Sequence, residues 1–120
     1  MKVRCVRLVD IKGRVQETSP WLTLGKVYHV LEIILGAVQK CHLRLIADGR
    51  NRTALFPMDD FEIVSPIVPT SWIVTWNKGA LKFAPNAWTK AGFWERFYDG
   101  EPAEIQIFDE EVIKIIQSDT

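Results

Sequence analysis

Several things are scarce or missing in this sequence. Its 120 residues hold two cysteines and two histidines, with no Cys-x-x-Cys and no His-x-x-x-His spacing, so the usual ligand pattern of a structural zinc site is absent. No run of about 18 apolar residues occurs, which removes the signature of a membrane-spanning helix. The opening Met-Lys-Val-Arg-Cys-Val-Arg-Leu-Val-Asp has too short an apolar stretch for a secretory leader, and the expectation is a cytoplasmic chain with no membrane partner. Net charge is also missing. Fifteen Lys+Arg balance fifteen Asp+Glu, so no long-range field of one sign steers the whole molecule toward nucleic acid. The glycine-rich phosphate loops and the Gly-x-Ser-x-Gly nucleophile turn are absent too.

What is present is a chain of domain size with 48% hydrophobic, 25% charged and 11% aromatic residues, enough for one packed core and too apolar for a disordered tail. The balance hides an asymmetry. Residues 1–60 carry ten Lys/Arg against six Asp/Glu, and residues 61–120 carry five against nine. From Glu95 onward eight acids face only Arg96 and Lys114. Two readings stand: the basic first half neutralises the acidic second half internally, or the acidic quarter faces a partner.

The first half reads as β. Residues 26–35 alternate, with Val27, His29, Leu31, Ile33 and Leu35 on one face and Tyr28, Val30 and Ile34 on the other, as in a strand well inside a sheet. Residues 40–47 alternate again, placing Cys41, Leu43, Leu45 and Ala47 inward and His42 and Arg44 on the solvated side. Asp48-Gly49 is a turn signal before residues 53–56 resume, and Pro57 closes that strand. Residues 61–64 supply another strand, and residues 3–9 a first one with a bulge near Cys5-Val6. Strands this closely spaced leave no room for crossover helices, so residues 1–65 are expected to form a small antiparallel barrel. Residues 65–70, with two prolines, form a connector within a single domain.

In the second half, residues 72–76 and 80–83 flank Asn77-Lys-Gly79 as a hairpin. Residues 87–98 have helical spacing broken at Gly92, which predicts two short turns, and Asp99-Gly100 ends them. Ile105, Phe108, Val112, Ile115 and Ile116 share one helical stripe, consistent with a terminal amphipathic helix from Glu101-Pro102. Alternation of Ala103, Ile105 and Ile107 fits equally a short strand before a helix capped by Asp109. The fold class is therefore α+β: a small antiparallel barrel, a hairpin and C-terminal helices.

Chemistry is thinly written. The soft or imidazole candidates are Cys5, Cys41, His29 and His42, and Cys41 and His42 point to opposite faces of a strand, so they cannot both ligate one ion. The two thiols read as free cysteines of a reducing compartment, and no metal or cofactor is implied. His29 reads as a core histidine. Asp59-Asp60 diverge in extended chain and fail as a catalytic dyad; they read as a turn. An enzyme of unspecified type has only the histidines to offer, so the expectation is no enzyme. A nucleic-acid module would use the basic residues Lys12, Arg14, Arg44, Arg50 and Arg52 in or near barrel loops, although the acidic quarter opposes phosphate. Four of the five tryptophans crowd residues 72–94. Most belong in a core, yet a Trp edging an acidic surface is also the composition of a binding hot spot.

Two stretches resemble known families. Leu22-Thr-Leu-Gly-Lys-Val-Tyr-His-Val-Leu, with Asp48-Gly49-Arg50 and Phe56-Pro-Met-Asp-Asp-Phe-Glu-Ile-Val64 downstream, resembles bacterial small barrels of the Src-homology type. Trp72 through Ala87-Trp88 and Gly92-Phe-Trp-Glu-Arg-Phe-Tyr-Asp-Gly100, running into an acidic helix, is similar to small immunity proteins of bacterial contact-dependent growth inhibition. That resemblance implies a cytoplasmic binding protein that neutralises a protein toxin; such proteins vary in fold, so it assigns no residue a role. The physics of the surface names Trp94, Glu95, Asp99, Glu101, Glu104 and Glu110 as the contact region for the basic cleft of a nuclease toxin.

Overall fold

A computed structural model describes residues 1–36, 40–49 and 53–120. Ten strands precede two helices among these residues: β1 Lys2–Cys5, β2 Leu8–Val9, β3 Val15–Gln16, β4 Val27–His29, β5 Glu32–Gly36, β6 His42–Ile46, β7 Thr53–Pro57, β8 Phe61–Ser65, β9 Trp72–Asn77, β10 Ala80–Pro85, α1 Phe93–Tyr98 and α2 Pro102–Gln117. Every pairing is antiparallel, in sheets ordered β4-β1-β8, β7-β6-β5-β10-β9 and β2-β3. The fold is α+β; the pairings among the described residues do not close a barrel.

Three features depart from the periodicity. The stretch 26–35 is two strands: β4 pairs with β1, and β5 pairs with β6 and β10. Between them the chain passes from one core to another, so the neighbours Val30 and Leu31 are both buried, Val30 in the first core and Leu31 in the second. Of the two faces that alternation leaves apolar here, the one holding Tyr28 is buried, while Val27 on the other is exposed. The first strand is likewise interrupted, at Val6-Arg7, and β2 forms a small hairpin with β3. Third, the hairpin β9–β10 is no appendage: β10 aligns with β5 through Ala80↔Gly36 to Phe83↔Ile33, so one sheet spans the junction at residue 65.

The first core gathers Val3, Cys5, Leu8, Tyr28, Val30, Leu43, Leu45 and Phe61, and the second gathers Leu31, Trp88, Phe93, Phe108, Val112 and Ile115 under the helices. Trp72 packs against both. The helical reading of residues 102–117 is the one observed, with Pro102 in the first turn where its missing N–H costs nothing. Residues 87–98 split as expected. A 3₁₀ turn at Asn86–Thr89 ends before Gly92, whose φ of 76° no helix interior adopts, and α1 starts after it. Asp59-Asp60 sit in a 3₁₀ turn, Met58–Asp60, where buried Asp60 accepts from Arg7 Nε at 2.9 Å. Both cysteines are free, and burial raises both thiols above their ordinary range. No helix among the described residues is long and apolar enough to cross a membrane.

Candidate partner-binding face

Three local arrangements build one face. The first is the corner between α1 and α2. Gly100 takes φ 83°, its N–H reaches the Phe97 carbonyl at 3.0 Å, and the Glu101 N–H reaches the Arg96 carbonyl at 3.1 Å. This left-handed cap closes α1 and starts α2 within three residues. It leaves Tyr98, Asp99 and Glu101 on the outside of the bend, all exposed.

The second arrangement is a polar knot at Asp48. The Asp48 carboxylate accepts from Thr23 Oγ1 at 2.7 Å, from Lys26 Nζ at 2.6 Å and from the Tyr28 hydroxyl at 3.0 and 3.1 Å. The Tyr28 hydroxyl in turn accepts the Thr23 N–H at 2.9 Å. Burial works to raise the Asp48 pKa, but the hydrogen bonds from Lys26, Thr23 and Tyr28 outweigh it and hold the carboxyl below its ordinary value. The Asp48 N–H donates to the Trp21 carbonyl at 2.8 Å, so the same knot sets where Trp21 stands.

The third is Arg44. The period-2 reading places it on a solvated face with His42; it is instead 5% exposed, because that side of β6 is covered by α1. Its Nε donates to Glu32 Oε2 at 2.7 Å, and Glu32 is 1% exposed. One terminal nitrogen donates to the Tyr98 hydroxyl at 2.9 Å, and the guanidinium lies 3.7 Å from the Trp94 ring centroid. A delocalised, weakly hydrated cation suits such a stacked, buried position better than an ammonium would. Tyr98 is thereby pinned at its hydroxyl while the residue as a whole stays 60% exposed.

Together these elements frame a groove of about 480 Å³ lined by Trp21, Ala47, Thr53, Ala54, Phe97, Tyr98 and Ile105. Its aromatics are held on rigid supports. Glu101 lies one helical turn before Ile105, whose N–H it accepts at 3.1 Å, and Asp99 follows Tyr98.

The residues expected to meet a partner divide. Glu95, Asp99, Glu101 and Glu110 are exposed and have no ion-pair partner among the described residues, Glu110 only accepting from Gln106 at 3.1 Å. Glu104 is held by Arg96 Nε at 3.3 Å. Trp94 is half-buried, edge-on to Trp88 and Phe93 and capped by Arg44. Trp21 and Tyr98 were the signals for this face that charge counting passes over: large aromatics beside turn residues.

Internal neutralisation takes part of the acidic half. Glu62 pairs with Arg4 at 2.8 Å, and Asp119 is buried against Lys2 at 3.9 Å, the Met1 amine at 3.0 Å and Ser65 Oγ at 2.6 Å. Hydrogen bonds from Ser65 and the Met1 amine hold the Asp119 carboxyl below its ordinary value. Arg44 takes no part in this, since its carboxylate partner is Glu32. Of the basic set, Lys12 is exposed, Arg14 grips Asp10 at 3.1 Å, Arg44 is buried, and Arg50 and Arg52 lie outside the described residues. His42 Nδ1 lies 2.7 Å from the Lys40 carbonyl, and His29 is half-buried beside a cavity of about 180 Å³ lined by Val27, Leu31, Ile46 and Ile116. Among the described residues no cluster of three or more His, Cys, Asp or Glu is placed to hold a metal ion.

Comparison with family models, with curated proteins and with solved structures finds no match to this chain. The functional reading therefore rests on the face itself.

Proposed function

We propose that this chain is a non-catalytic bacterial immunity protein that neutralises a cognate toxin, a nuclease, by covering its active site. One observation carries the reading. Trp21, Tyr98 and Ile105 expose apolar surface around one groove, and the adjoining Asp99 and Glu101 have no ion-pair partner among the described residues. A nuclease must hold a phosphate backbone, so its cleft is basic. Exposed carboxylates speed encounter with such a cleft, and pre-anchored aromatics supply the slow dissociation. The relationship of the first half to Src-homology-type barrels belongs to the same reading, and the convergence of Thr23, Lys26 and Tyr28 on Asp48 supports it.

The test uses two baits on lysate of the source organism: the wild-type chain and the Asp99→Lys, Glu101→Lys, Glu110→Lys triple variant. The expected result is a nuclease retained and inhibited one-to-one by the wild type and lost by the variant. A partner retained equally by both baits, or one without nuclease activity, overturns the proposal.

A further inference from the structure

A second cleft, of about 440 Å³, opens between the β9–β10 hairpin and residues 88–95. Cross-strand pairing puts Thr75 opposite Lys82 and Asn77 opposite Ala80 on the cleft-lining face of the hairpin. Lys78 stands at the turn and Lys90 just past the 3₁₀ turn. Three of the five cations in the second half thus surround one concavity, and none has an ion-pair partner among the described residues. Three lysines lining one concavity give it a local positive potential that favours an anion. A second observation is independent of charge. Trp88 lines the cleft at 2% exposure, and its indole N–H, like that of Trp94, has no acceptor among the described residues. A buried donor left unpaired is costly, and native proteins rarely keep one without a use. Glu95 is the one carboxylate among the described lining residues.

We propose that this cleft binds a small phosphomonoester, its phosphate held by Lys78, Lys82 and Lys90 and its hydroxyl-bearing remainder donating to Glu95. The volume is that of a small-molecule site. A compact ligand fits better than a polynucleotide, because Glu95 in the lining would repel a second phosphate. The site goes beyond the toxin-binding reading and shares with its contact region only Trp94 and Glu95.

Calorimetric titration of the full chain at low salt tests it, with ribose 5-phosphate, inorganic phosphate, ribose and an unphosphorylated thymidine decamer as probes. Ribose 5-phosphate is expected to bind more tightly than phosphate, and ribose not at all. Lys82→Ala with Lys90→Ala should weaken it by about tenfold or more, while Lys12→Ala, an exposed lysine elsewhere, should not. Trp88→Phe, which keeps an aromatic ring and removes the donor, should weaken it as well. Circular dichroism of each variant verifies folding. Absence of ribose 5-phosphate binding at millimolar concentration, undiminished binding by the lysine variant, or tighter binding of the decamer overturns the proposal.

Discussion

Arg44 is the support on which Tyr98 and Trp94 stand, and its removal should be felt throughout the face. Arg44→Met keeps most of the side-chain volume but leaves Glu32, 1% exposed, without its cation. Breaking a buried pair from one side costs about 3–5 kcal/mol, because the remaining charge stays desolvated. The guanidinium on Trp94, worth about 0.5–2 kcal/mol, and the hydrogen bond to Tyr98 belong to the same network and do not add to that figure independently. With about 2.1 cal/mol/K of unfolding entropy per residue over 120 residues, the melting temperature should fall by roughly 12–20 °C. Glu32→Leu combined with Arg44→Met removes both charges and should recover most of the loss. Urea unfolding of the two single variants and the double variant, followed by tryptophan fluorescence, gives the coupling energy. An Arg44→Met protein within about 1 kcal/mol of wild type, or a double variant as unstable as the sum of the singles, would refute the reasoning.

Other expectations follow from the same geometry. His29 has its pKa lowered by burial first, then by Lys2 and the Met1 amine. The folded protein resists a proton that the unfolded chain accepts, so stability is complete above the unfolded value of about 6.5 and falls as pH drops below it. His29→Gln should flatten denaturation midpoints measured between about pH 7 and pH 5; an unchanged slope contradicts this. Asp119, whose pKa is lowered, adds a separate loss as pH falls below the ordinary carboxyl range, and Asp119→Asn should remove it from a series extended below about pH 4. Tyr28→Phe removes the hydroxyl from the Asp48 knot and should cost about 1–2 kcal/mol in urea unfolding. Gly100→Ala forces a Cβ onto φ 83° and should cost about 1–2 kcal/mol, with partner binding weakened as the corner shifts.

The sequence was most readable where a local rule decides the outcome. The Lys78-Gly79 hairpin, the interruption at Gly92 and the apolar stripe of α2 are of that kind. The Asp48 knot is an intermediate case: Thr23, Lys26 and Tyr28 stand out as a motif, but only the fold brings them onto a carboxylate 20 to 25 residues away. Arg44 was illegible for a definite reason. Alternation distinguishes the two faces of a strand, but it does not tell whether the second face meets water or a helix. Val30 and Leu31 defeat alternation because the chain changes core between them. The lysine cleft leaves no linear trace, since residues 78, 82 and 90 meet only through the pairing of β10 with β9 and the 3₁₀ turn that follows.

The most direct test of the partner-binding claim is the association rate of the captured toxin with this chain as a function of ionic strength. The account predicts a rate that falls steeply with added salt for the wild type. It predicts a slower, nearly salt-independent rate for the Asp99→Lys, Glu101→Lys, Glu110→Lys variant. Identical rates and salt slopes for the two proteins would contradict it.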